Sequence, residues 1–213
     1  MIFIRENQQS IPKTIKLLTL KIQKILDVDN AGLVTYFADE DFSKYPNNRY
    51  RDCAFYMNIK MGGIEEISPA DIVCIMKDPN TIHFIWLSNL WKRNEITFTW
   101  LFAHELKHLK QNITTPNINE KTEQLKKLYE GSVCSKISQY NQYDLPVEKD
   151  ADLTAKYVVE KLFPEKQVDD FFNWMISDGK RAKSFKHLQT VSGALCNDYE
   201  YQTDHLIRQL GPL

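Results

Sequence analysis

The sequence predicts an α+β protein: one helix, then a small, partly antiparallel sheet, then a helical second half. Three observations carry this. Residues 11–28 have the apolar spacing of a helix, four short runs between 32 and 88 are rich in β-branched and aromatic residues, and from Asn94 onward the periodicity turns helical and stays so. At 213 residues, 43% apolar and 12% aromatic, the chain can bury a substantial core. It reads as one domain, 1–213, in which 1–93 supplies the first helix and the sheet, 94–163 the helices of special composition discussed below, and 164–213 a helical C-terminal part.

In "IPKTIKLLTLKIQKILDV", Ile15, Leu18, Ile22 and Ile25 recur at helical spacing with lysines between them. The strand-like runs are "GLVTYFA" (32–38), "CAFYMNI" (53–59), "DIVCIMK" (71–77) and "TIHFIWLS" (81–88). Turn formers separate them: Pro46-Asn47-Asn48, Gly62-Gly63 and Asp78-Pro79-Asn80. The gap between the last two runs is too short for a crossover helix, which calls for an antiparallel pairing. Asn94 is the expected N-cap of a helix over about 95–111. Further helices are expected near 119–137, 146–163, 166–178 and 184–208, with "SQYNQYDLP" as the clearest loop. No internal repeat is visible.

Composition excludes several classes. A formal net charge of −1 gives no global attraction to nucleic acid or to an anionic membrane. The start, "MIFIRENQQS", meets charges at Arg5 and Glu6 and lacks the apolar stretch of a secretion signal. No apolar run approaches the roughly 18–20 residues that span a bilayer, so the expected location is the cytoplasm. Cys53, Cys74, Cys134 and Cys196 form no C-x-x-C pair and read as reduced packing residues. The basic residues Lys180, Arg181, Lys183 and Lys186 lack interleaved aromatics apart from Phe185 and read as a solvated helix end. Asn112-Ile113-Thr114 matches a glycosylation sequon that has no meaning in a cytoplasmic protein.

The informative stretch is "TFTWLFAHELKHLKQN", Thr97 to Asn112. At roughly 100° per residue, His108 falls about 40° from His104, so both imidazoles leave one helix face. Phe98, Phe102, Leu106 and Leu109 gather on the opposite side and can anchor the helix to a core. Glu105 flanks the histidine pair on one side and Lys107 on the other. This is the H-E-x-x-H arrangement, in which two imidazoles one turn apart can reach one zinc ion and the glutamate sits beside the water rather than on the metal.

A catalytic zinc needs a third protein ligand. Downstream, "PVEKDADLTAKYVVEKLF" (146–163) sets Glu148 on one helix face with Ala151, Asp152, Ala155, Val159 and Leu162. Small residues there let two helices approach closely. A purely structural helix has no evident reason to bury a carboxylate pair on that face.

Together, His104-Glu105-Leu106-Lys107-His108 and the later Glu148-x-x-Ala151-Asp152-x-x-Ala155 resemble the gluzincin metallopeptidases, most closely the soluble ImmA/IrrE-type peptidases. The resemblance covers residues 94–160. It implies a zincin-like fold, one zinc per chain held by His104, His108 and Glu148, and a protein or peptide substrate. Two features depart from the family: the position of Lys107 is often glycine there, and the long span between His108 and Glu148 implies an inserted helix.

The implied mechanism leaves the fourth zinc position to water, whose pKa zinc lowers to about 7. Glu105 is then the general base, and Asp152 accepts a hydrogen bond from the non-ligating nitrogen of His104. The strand at 81–88 is expected to border the cleft and pair with an extended peptide. His83 on it reads as an ordinary packed or surface histidine. Tyr140, Tyr143, Tyr157, His187 and His205 are possible stabilisers of the developing oxyanion. The alternative function is a catalytically silent zinc-binding regulator or toxin-type interaction protein, against which the intact Glu105 argues.

Overall fold

The computed structural model describes residues 1–5, 10–28, 31–39, 54–61, 77–131, 145–177 and 182–210. Within them lie strands β1 (Ile2–Arg5), β2 (Leu33–Phe37), β3 (Ala54–Asn58) and β4 (His83–Leu87). The helices are α1 (Lys13–Leu26), α2 (Glu95–Thr114), α3 (Ile118–Gly131), α4 (Pro146–Leu162), α5 (Glu165–Ser177), α6 (Ala182–Gln189) and α7 (Tyr199–Leu210). The fold is therefore α+β, as the sequence predicts. No helix among the described residues is long and apolar enough to cross a membrane.

The sheet is mixed, in the order β1-β2-β4-β3. β1 runs parallel to β2 and β2 parallel to β4, while β3 pairs antiparallel with β4. β1 and β2 are joined through α1, a connection long enough for a parallel crossover. The tetrapeptide "IFIR" of β1 is too short to carry a strand pattern by itself. The antiparallel partner of β4 is β3; the run at 71–77 that motivated the antiparallel expectation lies outside the described residues except for Lys77.

Both faces of the sheet are buried. Leu33, Phe37, Ile85 and Leu87 join the helix-facing core, whereas Val34, Tyr36, Phe84 and Trp86 form a second cluster on the other side with Met57. That is why "LVTYF" and "HFIWL" read as continuous apolar runs rather than alternating ones.

α2 is the central helix. Asn94 caps it, its Oδ1 accepting from Thr97 N at 2.8 Å. Phe98, Phe102, Leu106 and Leu109 are each completely buried, and α2 is covered on almost every side by the sheet, α1 and α4. α4 opens with Pro146 at its first turn, where a missing N–H costs nothing. It lays Ala151 and Ala155, both fully buried, against α2.

The expected single helix over 184–208 is broken into α6 and α7. Between them the chain lies flat on α4: Ala194 N donates to Leu153 O at 3.1 Å and Gly193 N to Glu160 Oε2 at 3.0 Å. A Cβ at Gly193 would stand 2.2 Å from Tyr157 N, so only glycine allows that approach. These contacts replace the helical hydrogen bonds the periodicity alone would favour.

Candidate metal centre

His104 and His108 leave α2 one turn apart and face the first turns of α4. Their Nε2 atoms are 3.1 Å from each other. Glu148 completes the group, with Oε2 3.4 Å from His104 Nε2 and Oε1 3.7 Å from His108 Nε2. Ligand atoms about 2.0–2.1 Å from one tetrahedral ion are separated by roughly 3.3 Å, close to these spacings. Glu148 contributes one oxygen and each histidine one ring nitrogen, and the three ligand atoms lie within 4.8 Å of one another. His104, His108 and Glu148 could thus hold a metal ion.

The outer ring nitrogens test that fit. His104 Nδ1 lies 3.0 Å from Asp152 Oδ1, a short contact with an imperfect angle. His108 Nδ1 lies 2.8 Å from Gln111 Oε1. With a proton on each Nδ1, the two Nε2 lone pairs point at each other and at the Glu148 carboxylate. Such a cluster could hold a cation at its centre.

The acid–base properties follow from the same contacts. Burial would depress the His104 imidazole, but its contacts with Asp152 and Glu148 outweigh burial and raise it to about 10. Burial likewise opposes the charge on His108, and the neighbouring Glu148 carboxylate lifts it above its ordinary value. Glu148, which burial alone would push up, is held well below the carboxylate range by His108 and His104. Glu105 is buried at 6% exposure, and its charge acts on both imidazoles.

Three buried residues adjoin His108, of which sequence reasoning missed Gln111 and Asp150 and noted Lys107 without giving it a role. Gln111 Nε2 donates to Val147 O at 3.0 Å and to Asp150 Oδ2 at 2.7 Å. Lys107 Nζ lies 3.1 Å from the same Asp150 oxygen. It also donates to Cys196 O at 2.7 Å and to Asn197 Oδ1 at 3.2 Å. Burial pushes the Asp150 carboxyl up, against the pull of Lys107 and Gln111. The available signal was the spacing, since Gln111 lies three residues after His108 on the same face.

Beside the cluster is a cleft of about 220 Å³ lined by Tyr56, His108, Glu148 and the polar Asn119, Thr122 and Lys126. Tyr56 belongs to β3, which corrects the expectation for 81–88: β4 is paired on both sides, by β2 and β3, and has no edge to offer a peptide. Of the two ordinary readings of His83, packed or surface, the structure shows the packed one: it is 8% exposed, with Nδ1 2.9 Å from the Tyr56 hydroxyl. Asn112 is buried and its Oδ1 accepts from Asn58 Nδ2 at 2.7 Å, which removes it as a glycan acceptor.

The three possible oxyanion stabilisers among the described residues do not gather at the cluster. Tyr157 lies under Gly193 on another face of α4, His187 accepts from Thr190 through its backbone carbonyl, and His205 stacks on Tyr201 of α7. Tyr140 and Tyr143 lie outside the described residues, as do Cys53, Cys74, Cys134, Lys180 and Arg181; Cys196 is a free thiol.

Fold and site together define an α+β protein with a helix-borne cluster of two histidines and one glutamate, able to hold a cation at the border of a cleft. No family model, curated protein or solved structure matches the chain.

Proposed function

We propose that the protein is a cytoplasmic zinc-dependent metallopeptidase of zincin-like fold, a gluzincin resembling the ImmA/IrrE-type enzymes. The observation that carries this is the convergence of His104 Nε2, His108 Nε2 and the Glu148 carboxylate, with Glu105 beside them. Two imidazoles and one carboxylate match the donor set of catalytic zinc, and three protein ligands leave a position open. Nitrogen donors disfavour magnesium and calcium, which take oxygen. The inserted helix that the sequence implies between the two metal helices corresponds to α3.

The chemistry supplied by bound zinc is Lewis acidity, toward the scissile carbonyl and toward water. His104 and His108 would hold the ion through Nε2, and Glu148 through its carboxylate. Asp152 keeps the proton on His104 Nδ1. Glu105 takes a proton from the attacking water on its carboxylate and passes it to the nitrogen of the leaving amine. The cleft beside His108 and Glu148 receives a substrate side chain.

Glu105→Gln is the decisive variant. The amide preserves size and hydrogen bonding but accepts no proton at neutral pH. Zinc content should equal that of wild type while peptide hydrolysis falls by at least roughly 10²–10⁴-fold. His104→Ala, His108→Ala and Glu148→Ala should each lose the metal. Equal zinc and an undiminished cellular effect in Glu105→Gln would establish the silent zinc-binding regulator instead.

A further inference from the structure

The amide of Gln111 has one orientation that its surroundings tolerate. Its nitrogen sits between two acceptors, Val147 O at 3.0 Å and Asp150 Oδ2 at 2.7 Å, and so spends both hydrogens. Flipping the amide would set oxygen against oxygen at both contacts. Gln111 Oε1 must therefore face His108 Nδ1, 2.8 Å away, and an amide oxygen can only accept. His108 then carries its neutral-form proton on Nδ1, and Nε2 presents a lone pair toward His104 and Glu148. Asp150 is fixed in turn by Lys107 Nζ at 3.1 Å, and Lys107 is anchored to Cys196 O and Asn197 Oδ1. Gln111, Asp150 and Lys107 are 2%, 4% and 2% exposed, so water does not compete for these contacts.

We propose that Gln111, held by Asp150 and Lys107, is the positioning residue that sets the tautomer and ring orientation of His108. It is the neutral counterpart of Asp152 at His104, and the inference rests on the metal-centre reading above. The neutral amide follows from the surroundings: a carboxylate at 111 would offer no hydrogen to Val147 O and would meet Asp150 as a like charge. Lys107 extends the chain of contacts from the metal cluster to the segment that leads into α7.

The test compares the full-length wild type with Gln111→Met and Gln111→Glu, using Zn²⁺ or Co²⁺ alone as the probe. Metal affinity is measured by chelator competition and stability by denaturant unfolding of the metal-free proteins. Methionine keeps the bulk and removes the acceptor, so affinity should fall roughly 10–100-fold, the usual loss when a ligand's outer partner is removed. Glutamate still accepts from His108 Nδ1 but faces Asp150, so it should lose more stability than methionine and less metal affinity. That crossed order is the signature of positioning, because a merely structural contact makes metal loss follow stability loss. In the zinc-loaded wild type, the His108 Nδ1 proton should give a slowly exchanging NMR signal that Gln111→Met abolishes. Affinity within twofold of wild type in Gln111→Met, or metal loss that follows stability across the two variants, overturns the proposal and leaves the metal centre standing. A wild type that binds neither ion overturns both.

Discussion

At the scale of single residues, the site is defined by where protons sit. The imidazoles of His104 and His108 would be neutral if burial alone governed them, yet Glu148 and the charge of Glu105 hold both above their ordinary values, with Asp152 acting on His104 as well. The folded, metal-free protein therefore favours a proton that a bound metal ion would have to displace. His104 has its folded value raised from 6.5 to about 10, so its stabilising contribution is complete below 6.5 and is lost as pH rises toward about 10. Zinc affinity should run the other way and climb across the same interval. Chelator-treated protein should lose stability from pH 7 to pH 10 while chelator competition reports tighter zinc. A flat affinity profile over that range would show that no proton is displaced.

At the scale of elements, two close approaches build the site. The first is α2 against α4, where Ala151 and Ala155 let the helices come near enough for Glu148 to meet both histidines. The second is the segment at 190–198 against α4, which completes the surroundings of Lys107. Gly193→Ala would place its Cβ 2.2 Å from Tyr157 N and 2.5 Å from Tyr157 Cα, and backbone atoms cannot swing aside as a side-chain tip can. Lifting the segment would break the Ala194–Leu153 and Gly193–Glu160 hydrogen bonds. The expected destabilisation is about 1–3 kcal/mol, measured by urea unfolding at fixed zinc. A change under about 0.5 kcal/mol, the scatter of surface substitutions, would mean the segment yields freely.

At the scale of the whole molecule, the cluster joins two helices distant in sequence, and anything that binds only the folded state stabilises all of it. Free zinc at 100 times its Kd should add about 2.7 kcal/mol to the unfolding free energy and raise the melting temperature accordingly. Calorimetry with and without chelator should show this shift in wild type and in Glu105→Gln, and none in Glu148→Ala. A full shift in Glu148→Ala would remove Glu148 from the ligand set. The other end of the molecule has its own tie: Asp39, after β2, accepts from Arg5 of β1 and pairs with Lys92, which leads into α2. Burial opposes the Asp39 charge, but Arg5 and Lys92 prevail and hold its carboxyl below its usual value. That contribution is present above pH 3.8 and fades as acid protonates it, so β1 is secured through the neutral range in which the site would work.

The amino-acid sequence alone determined what depends on short-range order. Asn94 announces the start of α2 because capping is local, Pro146 the start of α4, and the spacing of His104, Glu105 and His108 fixes their common face because α-helical geometry leaves no alternative. The grouping of Glu148, Asp152 and the two alanines was legible for the same reason. The tertiary structure decided everything that depends on residues distant in the chain. β1 becomes a strand only because β2 lies beside it, and β3 rather than β4 takes the outer position among the described strands. The helix expected over 184–208 breaks because backbone contacts with α4 outweigh local propensity. The partnership of His108 with Gln111 is local in sequence, but its meaning is not. Asp150 and Val147, one turn of another helix, dictate which way the amide faces, and no periodicity encodes a hydrogen bond made across two helices.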